Sequence, residues 1–167
     1  MTQHPKVTIE KTPFALFIEA FTFLVLVLLI VLPIMEYSSL PDRIPTHFNA
    51  QGNADGYSEK AMIWLLPGLA WVIIPIIFLL SKQPHLHNYP IKVTQENAKT
   101  LFTYSTQMSR ILNLIIGVSF LYIVYRSIAI AKGEVQNLRN YFLPVFLCAI
   151  FALIIFYLVK MYALKKS

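Results

Sequence analysis

The sequence predicts an all-α polytopic integral membrane protein, a four-helix bundle with an extracytoplasmic Pro/Gly/Asn-rich loop and a cytoplasmic amphipathic extension of the third helix. Three observations predict it. Of 167 residues, 57% are hydrophobic and only 13% charged, against roughly 25% charged in a soluble domain. Four apolar runs, Phe14 to Met35, Ala61 to Leu80, Ile111 to about Ala131 and Tyr141 to Val159, each approach the ~20 residues that carry a helix across ~30 Å of hydrocarbon. The cationic residues are also biased between the two sides that four spans create. Lys6, Lys11, Lys82, Lys92, Lys99, Arg110, Lys160, Lys165 and Lys166 share one side, while Arg43, Lys60, Arg126, Lys132 and Arg139 share the other. The richer side is read as cytoplasmic, which places both termini inside and the first connection outside. The expected organisation is a single membrane domain with spans over about 14–35, 61–80, 108–131 and 141–160.

The first run exceeds the ~7–15 apolar residues of a signal-peptide core and no small-x-small site follows it, so it is expected to remain in the mature protein. Pro13 opens this helix at a position whose N–H would be unpaired anyway. Glu19 falls about two turns inside, where a lone carboxylate is costly. Arg110 and Asn113 enter the third span from the same side, and a contact with one of them is the expected satisfaction of that charge; hydration at the interface and a proton relay are the alternatives. Pro67 and Pro75 are each expected to remove a hydrogen bond from the second helix and kink it.

In the second connection, Pro84 and Pro90 keep the chain extended and Thr94 suits an N-cap. Glu96 follows in the first turn, where the helix dipole favours a carboxylate. Ala98, Leu101, Phe102, Ser105, Met108 and Leu112 then recur at helical spacing, predicting one long helix from about residue 95 that becomes the third span. Its apolar stripe suits the membrane surface or a neighbouring helix, and alternatively a cytoplasmic partner. His85 and His87 lack a neighbouring carboxylate and make a weak metal signal. Arg126, about five residues before the end of its run, is expected to snorkel to the outer interface. Pointing inward, it would approach Glu36, Asp42, Asp55 and Glu59. The third connection, "KGEVQNLRN", is expected merely to turn the chain.

Cys148 is the single cysteine, so neither an intrachain disulfide nor a thiolate metal site is available. The net charge of +6 is spread along short loops without interleaved aromatics, which points away from direct nucleic-acid binding. No cofactor signature is present, and composition leaves the oligomeric state open.

The polar stretch "LPDRIPTHFNAQGNADGYSEK", residues 40–60, is the feature that a bilayer does not explain. Pro41 and Pro45 stiffen its start into an extended ribbon, and the Asn, Asp and Gly that follow favour a fold-back. Ile44 and Phe48 are positioned to pin the ribbon to the helix ends, gathering His47, Asn49, Asp55 and Lys60. Three readings stand: turn-formers with His47 as a strut, a recognition surface for a peptide, lipid or partner, and a hydrolytic or metal site using His47 and Asp55. Neither HExxH nor GxSxG occurs, so an enzyme is not the expected class.

This stretch, followed by a span and then by "NYPIKVTQENAKTLF" leading into another, resembles the bacterial membrane domain of the SdpI immunity-protein family, a domain of unknown function numbered sixteen forty-eight. Leu40, Pro41, Ile44, Pro45, His47, Phe48, Asn49, Gly52, Asp55 and Lys60 carry the first motif; Asn88, Pro90, Thr94, Glu96 and Asn97 carry the second. The resemblance implies protection of a producing cell against a secreted antimicrobial peptide. In SdpI it extends to membrane capture of a transcriptional repressor. By that analogy the outer loop would face a peptide toxin and the cytoplasmic helix a regulator. SdpI itself looks longer, with further spans. An accessory subunit of a larger membrane complex is the alternative function.

Overall fold

The computed structural model describes residues 5 and 7–166; Lys6, part of the charge bias, lies outside them. Helix α1 runs Pro13–Glu36, α2 Leu65–Ser81, α3 Ala98–Ala131 and α4 Phe142–Ala163. All four are long and apolar enough to cross a membrane. Between α1 and α2 the chain forms strands β1, Arg43–Phe48, and β2, Ala54–Glu59, paired antiparallel. The extended ribbon that folds back is thus a β-hairpin, and a 3-10 turn over Lys60–Trp64 leads from it into α2.

Local chemistry explains where the helices begin. Thr12 caps α1, its hydroxyl accepting from the Ala15 amide at 3.1 Å, with Pro13 at the first helical position. At α3 the Thr94 hydroxyl accepts from the Asn97 amide at 3.3 Å, and the Asn97 side chain accepts from the Thr94 amide at 2.9 Å. This reciprocal cap satisfies two amides before the first helical residue. With the Ala98 amide donating to the Thr94 carbonyl at 3.0 Å, the cap sets the first turn at residues 95–97, as expected, and the regular helix continues from Ala98. Pro75 lies inside α2 as expected. Pro67 instead sits in the first turn, where its missing N–H breaks no helical bond, so only one of the two prolines interrupts the ladder.

Helix α3 is the centre of the fold: α1, α2 and α4 each pack on it, and β1 rests against it. One apolar core joins Val25, Leu26 and Leu29 of α1 to Ala70 and Ile74 of α2 and Val124 and Ile128 of α3, and continues into Leu40, Ile44 and Ile63 below the hairpin. Gly117 lets the three helices close, since a methyl there would stand 3.2 Å from Val25 and 3.3 Å from Ile74. Helix α4 stands outside this core, with Tyr157 and Met161 as its buried residues. The bundle is therefore three helices with a fourth on one side, because an apolar helix surface in lipid gains little from further burial.

The amphipathic start of α3 is covered by the chain itself. Ala98, Leu101 and Phe102 are buried with Met161 of α4, against Val7, Ile9, Tyr89, Ile91 and Val93. The predicted stripe is thus an internal packing face rather than an open one.

Candidate functional site

The hairpin owes its shape to Asn49. Its side-chain oxygen accepts from the amides of Gln51 and Asn53, each at 3.0 Å, while its backbone oxygen accepts from the Gly52 amide at 2.9 Å. This is an Asx-type turn. Gly52 adopts φ 80°, a left-handed conformation that favours glycine.

Behind the tip, pairing slips twice: Pro45 faces Tyr57, His47 faces Gly56, and Phe48 faces Ala54. Thr46 and Asp55 are thereby left out of the ladder, as in bulges, which re-aim neighbouring side chains. His47 Nδ1 meets Asp55 Oδ1 in a hydrogen-bonded pair with both side chains largely exposed. Gly56 permits it, because a methyl there would stand 2.8 Å from the His47 Cβ. Gly56 was not singled out from the sequence, although a glycine inside a strand signals close backbone approach.

Lys60 does not join this group, contrary to the expectation from spacing. It lies at the hairpin base, where its amide donates to the Asp42 carbonyl at 2.9 Å and its ammonium stands over the Tyr37 ring at 5.4 Å. The antiparallel geometry places it opposite the strand end while His47 and Asp55 lie near the tip. Pro41 is exposed just before β1, and Pro45 is buried within it.

The third connection does more than turn the chain. The Leu138 amide donates to the Gly52 carbonyl at 2.8 Å and Asn137 bridges Asn53, so this segment closes on the hairpin tip. Leu138 is buried and its carbonyl accepts from the Tyr122 hydroxyl at 2.7 Å. Arg139 holds φ 70°, with its amide donating to the Asn137 side chain at 2.9 Å. Arg126, expected to snorkel, is buried at 7% exposure and points inward. Its Nε donates to the Asn137 carbonyl at 2.9 Å and its Nη2 to the same oxygen. A backbone carbonyl, rather than any loop carboxylate, holds the guanidinium.

Hairpin and third connection together roof a cavity of about 300 Å³ at the end of the bundle. Its floor is Ile63, Leu66, Val124 and Phe142, with Ile44, Pro45, Phe48 and Leu138 as walls. His47, Asn49, Ser127 and Arg139 contribute the polar groups. Such a largely apolar recess with a few placed polar atoms suits binding. Among the described residues, no three His, Cys, Asp or Glu side chains converge.

Residues 24–71 match the model of a domain of unknown function (DUF1648). The matched segment is the second half of α1, the whole hairpin and the start of α2, the unit that carries the cavity roof. An uncharacterized protein of Archaeoglobus fulgidus is 26% identical, over 81% of this chain and 81% of its own. No solved structure matches the chain.

The second motif, lying beyond the matched segment, is a clip at the other end of the bundle. Thr94 and Asn97 form the reciprocal cap, and Asn97 also donates to the Lys92 carbonyl at 3.1 Å. Pro90 and Glu96 line the same shallow surface recess with Leu164, while Asn88 is exposed. His87 is a strut, one ring nitrogen on the Ser105 hydroxyl at 2.6 Å and the other on the Leu80 carbonyl at 3.0 Å. Nearby, Glu19 pairs with Arg110 at 2.8 Å and with Lys11 at 2.7 Å. Asn113 does not reach Glu19; its amide donates to the Ile74 carbonyl at 3.2 Å instead.

Proposed function

We propose that this chain is an SdpI-like recognition protein of a bacterial-type cytoplasmic membrane, binding rather than turning over its ligand. In this reading both termini are cytoplasmic, the hairpin is outside, and the roofed cavity takes an apolar side chain of a secreted antimicrobial peptide, giving immunity or sensing. The observation that supports it is the cavity itself: an apolar recess covered by a hairpin pinned at its tip by Gly52 and Leu138. Rigid loops on a helical scaffold are common binding sites.

The test is survival of a sensitive cell expressing the chain, challenged with secreted peptides of its own species. Two variants, His47→Ala at the rim and Met62→Trp filling the recess, are expected to abolish protection at unchanged expression. Protection retained in both sinks the reading. An accessory subunit of a larger membrane complex is the second reading, favoured by the broad apolar surface that α4 leaves outside the core. Recovery of the chain alone from a mild-detergent pull-down counts against it. A cytoplasmic regulator would meet the polar recess around Glu96 and Lys165 rather than the covered stripe.

A further inference from the structure

At the end of the bundle opposite the hairpin, a groove of about 270 Å³ opens between α1, α2 and α3. Its walls are apolar: Phe23, Leu26, Trp71, Ile74 and Phe78. Phe23 and Trp71 are 61% and 42% exposed, so the groove faces the acyl chains of the bilayer. Its size falls just below the roughly 300–1,000 Å³ of drug-sized ligand pockets, room for one hydrocarbon chain lying along it and not two.

Two polar features mark this groove. Asn113 lines it and is 4% exposed; its amide nitrogen is bonded to Ile74, but its Oδ1 has no partner among the described residues. An enclosed, unpaired acceptor is costly and gains from a donor brought by a ligand. The second feature is charge. Glu19 and Arg110 line the groove one turn nearer the membrane surface, and Lys11 and Lys82 lie over the Phe78 ring at 5.8 and 4.5 Å. Three cations against one carboxylate leave this mouth positive, complementary to an anionic headgroup.

We propose that the groove is a binding site for a single-chain anionic lipid, a monoacyl glycerophospholipid, with its chain against Phe23, Trp71 and Phe78. Its phosphate lies at Lys11, Lys82 and Arg110, and the hydroxyl freed by the missing second chain donates to Asn113 Oδ1. A two-chain lipid offers an ester at that depth, which donates nothing. The site is independent of the hairpin and of the function assigned to it.

The experiment is native mass spectrometry of the purified chain, titrated with lysophosphatidylglycerol, two-chain phosphatidylglycerol and lysophosphatidylcholine. The expected result is one tightly retained lysophosphatidylglycerol, with both other lipids weaker. Asn113→Leu, close in shape, is expected to weaken it about tenfold, the value of one hydrogen bond at the upper end of its usual range. Phe23→Trp, a lipid-facing change that fills the groove without touching the core, is expected to weaken it as well and serves if Asn113→Leu does not fold. Equal binding of either comparison lipid overturns the proposal. So does unchanged affinity in Asn113→Leu or, where that variant does not fold, in Phe23→Trp.

Discussion

The Leu138 amide donates to the Gly52 carbonyl across 2.8 Å, joining two connections more than eighty residues apart into one roof. Gly52 is held in the left-handed region, and a methyl on it would stand 2.9 Å from the Arg139 carbonyl oxygen. Gly52→Ala therefore suffers both backbone strain and a clash with a backbone atom that has little freedom to move. A loss of about 1–3 kcal/mol is expected. Thermal unfolding in detergent measures it, and hydrogen exchange is expected to rise first at residues 49–53 and 137–139.

Arg126 anchors the same roof from below. Arg126→Met keeps the stem but leaves the Asn137 carbonyl without its charged donor, a change of about 1.5–3 kcal/mol. Arg126→Lys rescues only in part, since an ammonium lacks the fork that places two donors on one oxygen. The check is the melting temperature of both variants beside Asn137→Ala, which keeps the backbone carbonyl and is expected to cost less than Arg126→Met.

Glu19 and Arg110 are unequal partners despite their symmetric contact. Glu19 also holds Lys11, whereas Arg110 has Glu19 as its one side-chain partner among the described residues. Removing Glu19 strands a cation beside the apolar groove, and Glu19→Leu is expected to cost about 3–5 kcal/mol. Arg110→Leu leaves the carboxylate paired with Lys11 and costs less. The double variant is expected to be more stable than Glu19→Leu alone, a sign that a double-mutant cycle reads directly.

Tyr89, in the second connection, has its phenol pushed up to about 12, chiefly by burial, with a hydrogen bond from Ser105 opposing the shift. An acid whose pKa is raised by folding binds its proton more tightly in the native state. Its contribution is thus complete below pH 10 and is lost as pH rises from 10 toward 12. Tyr89→Phe is expected to lose less stability than the wild type over that window. The absorbance of tyrosinate, wild type minus variant, is expected to show a midpoint near 12; a midpoint at 10 would mean that the ring is not buried.

The elements were legible to different degrees, and particular residues show why. Pro13 at the start of α1, Thr94 before α3, and the Asn49–Gly52 turn act within a few residues of themselves, so their roles follow from neighbours in the chain. The four spans were legible for a related reason: in lipid a helix satisfies its own backbone groups, and an apolar run of sufficient length is all that this demands. Gly56 carried a readable signal that was passed over. The left-handed Arg139 carried none, since its conformation comes from docking on Gly52.

By itself, then, the sequence determined the helices, the fold-back between the first two spans and the polar character of the two ends. Only the tertiary structure decided that Arg126 turns inward to a carbonyl, that Lys60 parts from His47, that the third connection closes over the hairpin, and that α4 stays at the edge. Each of these depends on how helices rotate and lean against one another. In water, the drive to bury apolar faces makes that rotation readable as a stripe. In a bilayer both faces of a span are apolar, and close packing at residues such as Gly117, with a few polar contacts, sets the arrangement instead.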